Sequence, residues 1–152
     1  MLLLLFELDR QRYALDTARV SEVLPLLEIR ALPRAPPGVA GVIDYRGNSA
    51  PVIDLSALAL GRPAARRLST RIVMVQHHAR GDRQRALGLV LEGVTSTLHC
   101  EADQFQLSGI SRAGARYLGP IARLPSGLVQ RVDVDELLPP AACEALFEAA
   151  ET

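Results

Sequence analysis

Four groupings of side chains carry residue types that catalysis or ligand binding requires: the tandem His77-His78, the adjacent His99-Cys100, the carboxylates Asp44 and Asp54, and two runs of arginine. A histidine pair can ligate a metal or exchange protons, but neighbours on an extended chain point to opposite faces. Asp82 and His99 could add ligands, yet the spacing matches no recognised metal site, so both histidines of the pair read as surface loop residues. His99-Cys100, as base and nucleophile, has the same geometric fault, and no G-x-S-x-G element accompanies it. Asp44 and Asp54 flank a hairpin as strand-end residues rather than facing each other as a glycosidase pair. The glycine spacing forms neither a P-loop nor a dinucleotide fingerprint. On their own residues these groupings favour no enzymatic reading, and none of them supplies a recognised cofactor or metal site.

The arginines raise a different chemistry. Arg62, Arg66, Arg67 and Arg71 form one basic run, and Arg80, Arg83 and Arg85 another in the loop that follows. A small β-barrel binding single-stranded nucleic acid is the alternative reading they support. Such platforms stack bases on aromatic rings, and aromatic residues make up 4% of this chain. Phe6 and Tyr13 sit in core patterns, so the runs read as solvated loops. Seventeen basic residues, all arginine, balance seventeen acidic ones for a net charge of +0, which argues against both a nucleic-acid field and an anionic membrane surface. Cys100 and Cys143 lie far apart without a CxxC pairing, so a reducing cytoplasm is expected.

Positioning these residues falls to short elements. The 152 residues suit one compact domain. The apolar start, Met1–Phe6, is followed at once by Glu7, Asp9 and Arg10, which makes it too short for a secretory core or a membrane span. It reads as a buried strand, Leu2–Leu8, with no leader before it, and no later stretch is long enough to insert in a bilayer. After a polar turn at Asp9-Arg10-Gln11 a strand resumes over Arg12–Leu15, and Asp16 caps a helical turn over Thr17–Glu22. Strands at Val23–Leu27 and Glu28–Leu32 follow. Val39–Tyr45 and Ser49–Asp54 form the clearest hairpin, through Arg46-Gly47-Asn48, where a residue must accept positive φ. Leu55–Leu60 is a helical turn ending at Gly61, and Arg62–Thr70 a solvated connection. Strands at Arg71–Gln76, Ala86–Leu91 and Val94–Leu98 are separated by a polar loop, His77–Gln84, and by Gly93. Residues 99–116 show no period. A last hairpin, Leu118–Leu124 with Leu128–Val134, turns at Pro125-Ser126-Gly127, and a helical turn follows over Asp133–Leu138. Cys143, Leu146, Phe147 and Ala150 have the spacing of one face of a terminal helix. About ten short strands without alternating helices predict a mostly β fold.

One stretch is specific. Gly41-Val42-Ile43-Asp44-Tyr45-Arg46-Gly47-Asn48-Ser49-Ala50-Pro51-Val52-Ile53-Asp54-Leu55 resembles the signature of CheW-like coupling domains, a Gly-Val-Ile strand, an Arg-Gly turn and a Pro-Val-Ile-Asp-Leu return strand. Leu4-Phe6-Leu8, Tyr13-Ala14-Leu15-Asp16, Val20-Ser21-Glu22-Val23, Leu32-Pro33 with Pro36, Gly88–Val94 and Tyr117-Leu118 extend the resemblance over roughly residues 2–138. It implies two SH3-like five-stranded β-barrels, with a few short helices, packed as one CheW-like domain over 1–138. The first barrel would take about 16–70, the second about 2–15 plus 71–138, and 139–152 would be a C-terminal helical tail.

The same resemblance implies a non-enzymatic adaptor in chemotaxis-type signal transduction. It would join the cytoplasmic hairpin tip of a chemoreceptor to the regulatory domain of a CheA-type histidine kinase, working in the cytoplasm and recruited to receptor clusters at the inner membrane. Departures such as Asp44-Tyr45, where relatives often carry Asn and Leu, resemble coupling proteins of alternative, surface-sensing pathways.

By family position Val20, Glu22 and Arg46 would meet the receptor, with Arg46 paired to Glu22 and Val20 lining a groove for the receptor's hairpin. Val20 is equally compatible with a core position, since periodicity does not separate the two. Gly41, Gly88 and Gly119 would lie where strand ends and loops meet partners, although each glycine also has a backbone explanation.

Overall fold

A computed structural model describes residues 1–78, 84–107 and 115–151. It opens on a hairpin of β1 (Leu2–Leu8) and β2 (Gln11–Asp16). The two-residue tip, Asp9-Arg10, has φ of 52° and 65°, the pair of left-handed conformations that a tight hairpin twist requires. β1 lies between β2 and a later strand, so both of its edges are paired, and each of its faces packs into an apolar cluster. Leu3 and Leu5 enter one apolar cluster, Leu4 and Phe6 another. Burial on both faces is why this strand is continuously apolar instead of alternating.

A single 3-10 turn at Thr17–Arg19, capped by the Asp16 carboxylate on the Ala18 amide at 2.9 Å, leads into β3 (Val20–Pro25). The helical turn expected through Glu22 is therefore shorter, and the strand starts earlier. Glu28–Leu32 is not a strand; it makes one bridge, Arg30 with Val42. β4 (Val39–Tyr45) and β5 (Asn48–Asp54) form the expected hairpin around Arg46-Gly47, and α1 (Leu55–Leu60) runs from the Asp54 cap to a left-handed Gly61. Asp54 is thereby a capping residue, and Asp44 is exposed on β4. The connection 62–70 is tied down: Glu92 receives the Ala65 amide at 2.6 Å, Asp54 the Ala64 amide at 2.9 Å, and the buried Thr70 hydroxyl donates to the Ala65 carbonyl.

β6 (Arg71–His78) pairs with β3, and with the first half of β7 (Gln84–His99). β7 is one strand of 16 residues rather than two. Gly93, expected to end a strand, sits in it at φ 62°, where the register against β1 shifts between Leu5 and Glu7. A bulge keeps the chain extended while turning it into a second sheet. Up to Leu91, β7 pairs with β6 and, in parallel, with β5; from Glu92 it pairs with β1. The two sheets thus divide within β7, not at residue 70, and β6 with residues 84–91 belongs with β3, β4 and β5. The second sheet continues through β2, β10 (Gly127–Val132), β9 (Leu118–Leu124) and the two-residue β8 (Phe105–Gln106).

The two barrels share a core. Leu4, Phe6 and Leu15 from the second pack in one cluster with Ile53, Val73, Val75, Leu87 and Leu89 from the first. A polar strut reinforces this junction. Arg19 grips Asp135, in the 3-10 turn Val134–Glu136, with Nη2 to Oδ1 at 2.6 Å and Nη1 to Oδ2 at 3.0 Å, and Nη2 also donates to the Gln76 carbonyl. The His78 amide donates to the same Asp135 oxygen at 3.0 Å. Burial pushes the Asp135 carboxyl up, but these donors outweigh it and hold the group below the usual carboxylate range.

Residues 140–151 form α2 (Pro140–Glu151), which docks on β5 and buries Cys143, Leu146, Phe147 and Ala150, the face marked by their spacing. Beneath it lies His77. This histidine is buried on β6, with Nε2 3.4 Å from Cys143 Sγ and its ring 5.4 Å from that of Phe147. The expectation of a surface loop histidine is overturned: β6 runs two residues beyond the expected end at Gln76, and α2 supplies the cover. Burial pushes the His77 pKa down and the Cys143 thiol up. Arg80, Asp82 and Arg83 lie outside the described residues.

Candidate functional site

The β4–β5 tip is a two-residue loop. Tyr45 pairs with Asn48, and both Arg46 (φ 53°) and Gly47 (φ 82°) are left-handed. Glycine tolerates this without strain, whereas an arginine does not, because its Cβ crowds the backbone. The Arg46 side chain is nevertheless held in place. Its Nη2 donates to Glu22 Oε1 at 2.9 Å, and its guanidinium lies 5.3 Å from the centre of the Tyr45 ring. The Tyr45 hydroxyl donates to the same Glu22 oxygen at 3.0 Å.

The electrostatics follow from this triad. The Tyr45 hydroxyl, and then Arg46, lower the Glu22 pKa. Partial burial, and then the Glu22 carboxylate, raise that of Tyr45. Arg46 stays 72% exposed while Glu22 is 38% exposed. An ion pair this open adds little to stability, but it presents an oriented guanidinium to solvent. Tyr45 is the member that sequence reading missed: it stood out only as a departure from the family pattern, and its hydroxyl reaches a strand 23 positions away.

Val20 does not join Glu22 and Arg46. A bulge in β3 lies between Val20 and Glu22, so Val20 pairs opposite Val75 and Glu22 opposite Met74. Val75 faces the shared core and Met74 the interior of the first barrel, which puts Val20 and Glu22 on opposite faces. Val20 is half-buried against the shared core, while Val23, on the same face, is 43% exposed.

The glycines are placed by packing. A Cβ on Gly41, at φ 144°, would collide with the Arg30 carbonyl, so this residue permits the bridge that brings 28–32 onto β4. Gly88 is buried mid-strand, and a Cβ there would meet Val52, Ile72 and Met74 at 3.1–3.3 Å. It is not at a strand end, contrary to expectation. Gly119, half-buried on β9, would bring a Cβ within 3.2 Å of the Arg131 carbonyl, and its own carbonyl accepts from the Gln130 side-chain Nε2 at 3.0 Å.

Buried Cys100 directs Sγ to Gln104 at 3.2 Å, while exposed His99 faces Glu101 at 3.9 Å, so the two do not converge. Phe6 and Tyr13 stack on each other at 6.0 Å, with Phe6 in the core, rather than forming a platform for bases. No helix is long and apolar enough to cross a membrane among the described residues.

Comparison with known proteins agrees with this architecture. The chain is 25% identical over 138 residues to the chemotaxis protein CheW of Klebsiella aerogenes, covering 89% of this chain and 80% of that one. It is 27% identical over 148 residues to the chemotaxis protein CheW of Rhizobium meliloti, covering 94% and 90%. The crystal structure of the scaffolding protein TtCheW from Thermoanaerobacter tengcongensis superposes with a TM-score of 0.78 at 22% identity, covering 91% of this chain and 87% of that chain, so the fold is that of two SH3-like barrels. The family described as CheW-like domain matches residues 2–141, and with a match spanning nearly its whole length, the chain belongs to that family.

Proposed function

We propose that this protein is a non-enzymatic scaffold that couples the cytoplasmic hairpin tip of a chemoreceptor to the regulatory domain of a CheA-type histidine kinase, and that the β4–β5 tip is its receptor contact. The observation that carries the site is Arg46. An arginine occupies a left-handed backbone position, at which glycine or asparagine would be easier, and its side chain is oriented by Glu22 and Tyr45 while remaining open to solvent. The hairpin turn itself asks for the left-handed backbone, as at Asp9-Arg10; what supports binding is that the Arg46 guanidinium is oriented by two partners and still open to solvent. Family membership supports the partners, and the scaffold works in the cytoplasm at receptor clusters of the inner membrane.

In this reading the protein carries out no bond chemistry. It holds two partners in fixed relative orientation, and the shared core that locks the barrels together supplies the rigidity. The test is a mixing experiment with a receptor hairpin fragment and the kinase regulatory domain from the same genome, followed by sizing and calorimetry. The expected result is a ternary complex in which Arg46→Glu loses the receptor fragment and keeps the kinase domain. Equal receptor binding by Arg46→Glu would move the contact elsewhere on the surface, and binding of neither partner by the native chain would remove the coupling role.

A further inference from the structure

A cavity of about 510 Å³ lies between the β4–β5 tip and the C-terminal helix. Arg46 and Asn48 line it from the hairpin, Arg85 from β7, and Phe147 and Glu151 from α2. The family match ends at residue 141, so α2 brings both of its lining residues from beyond it.

Arg85 is the notable member. It sits opposite His77 in the β6–β7 ladder, and its guanidinium lies 5.2 Å from the centre of the Phe147 ring. Among the described residues that guanidinium has neither a carboxylate partner nor a hydrogen bond. A half-buried arginine fixed over an aromatic face, with its donors unused, is prepared for a planar anion, because its rigid fork matches a carboxylate. The charge balance selects the anion further. Arg46 is already paired with Glu22, so among the described residues Arg85 is the lining cation left without a carboxylate partner; its one charge is matched by a single carboxylate and exceeded by a phosphate dianion, which Glu151 would also repel.

We infer that this cavity receives an acidic side chain, Asp or Glu, of the protein that docks at the hairpin tip, with Arg85 as its principal donor, Arg46 as the second and Phe147 as the apolar wall. This rests on the hairpin tip being the receptor contact and makes α2 part of that contact. The acidic residue would project from the receptor's helical hairpin and sit between the tip and the helix. Glu151, which also lines the cavity, would disfavour partners that present a second acidic group there.

The test measures binding of the receptor hairpin fragment to the native chain and to Arg85→Gln, Arg85→Glu and Phe147→Ala, with kinase-domain binding and thermal melting as controls. Arg85→Glu is expected to weaken the receptor fragment about 10- to 100-fold, with Arg85→Gln intermediate and the kinase domain bound as before. Reversing one acidic residue of the fragment to arginine is expected to restore binding to Arg85→Glu. Native affinity in Arg85→Glu, alongside a loss in Arg46→Glu, would overturn the cavity while leaving the tip. Loss in neither would overturn both. If Arg85→Glu melts early, the fragment side decides: the absence of any acidic residue whose reversal weakens binding to the native chain overturns the inference.

Discussion

Tyr45 donates its hydroxyl to Glu22 Oε1 at 3.0 Å, and that oxygen is the one Arg46 reaches at 2.9 Å. One carboxylate oxygen therefore fixes both a phenol and a guanidinium, and the phenol's ring also supports the guanidinium from below. Tyr45→Phe keeps the ring and removes one donor. The Glu22 pKa is expected to rise toward its ordinary value, since the hydroxyl is the largest lowering influence on it. Receptor-fragment affinity is expected to fall by a few-fold, much less than in Arg46→Glu. A side-chain NMR titration of Glu22 with calorimetry reads both; an unmoved Glu22 pKa would mean that Tyr45 does not hold the carboxylate in solution.

Asp135→Asn separates the strut between the barrels from the recognition site. It leaves Arg19, 75% covered, without its counter-charge, and among the described residues the buried Arg19 Nε already has no partner. The expected loss is about 1–3 kcal/mol of unfolding free energy, with receptor-fragment affinity unchanged per folded molecule. The pH dependence has a definite sign. Because the Asp135 pKa is lower folded than unfolded, its contribution is complete above the unfolded carboxylate range and is lost as pH falls through the folded value. Urea unfolding followed from pH 7 to pH 3 is expected to show a shallower decline in Asp135→Asn than in the native chain.

What could be read ahead of the structure was local. The Val39–Asp54 hairpin was legible because its strands carry β-forming residues and its turn contains a glycine, and α2 because Cys143, Leu146, Phe147 and Ala150 recur at helical spacing. β7 was not legible, since Gly93 has the same appearance whether it ends a strand or bulges one. The boundary between the barrels was lost with it. His77 was misplaced because two histidines between an apolar run and charged residues look like a loop until a helix from 66 positions away covers one of them. In the candidate site, the Glu22–Arg46 pair was expected from resemblance alone. Arg85 and Phe147 meet only in three dimensions, and no local pattern joins them.

Gly41→Ala and Gly88→Ala test whether these glycines bind partners or build the fold. Gly41→Ala adds a Cβ that collides with backbone in a left-handed conformation, and a loss of more than about 1 kcal/mol is expected. In Gly88→Ala the new methyl meets three side chains at 3.1–3.3 Å, which can yield by small shifts, and about 1–3 kcal/mol is expected. In both, thermal melting is expected to drop while either partner binds the folded fraction normally. Native melting combined with lost binding would return these positions to the interface.

His77 gives α2 a pH response. The groups around it are Cys143 and Phe147 on α2, Arg85 and His78 in the ladder, and Asp135 and Arg19 in the strut. Burial lowers its pKa below the unfolded value of 6.5, so between the folded and unfolded values the unfolded chain binds the extra proton. Stability is therefore expected to fall as pH drops below about 6.5 and to stop falling through this group once His77 is protonated in the folded state. The imidazolium would press against a thiol that cannot compensate its charge, and α2, held by four buried side chains, is the element expected to loosen. His77→Leu removes the titration and is expected to flatten the stability profile between pH 7 and pH 5, while leaving the Asp135-dependent decline at lower pH. Amide exchange in α2 that accelerates at pH 5 in the native chain, but not in His77→Leu, would locate the response in the helix. Identical profiles for the two chains would show that Asp135 compensates the proton on His77 and that α2 stays docked.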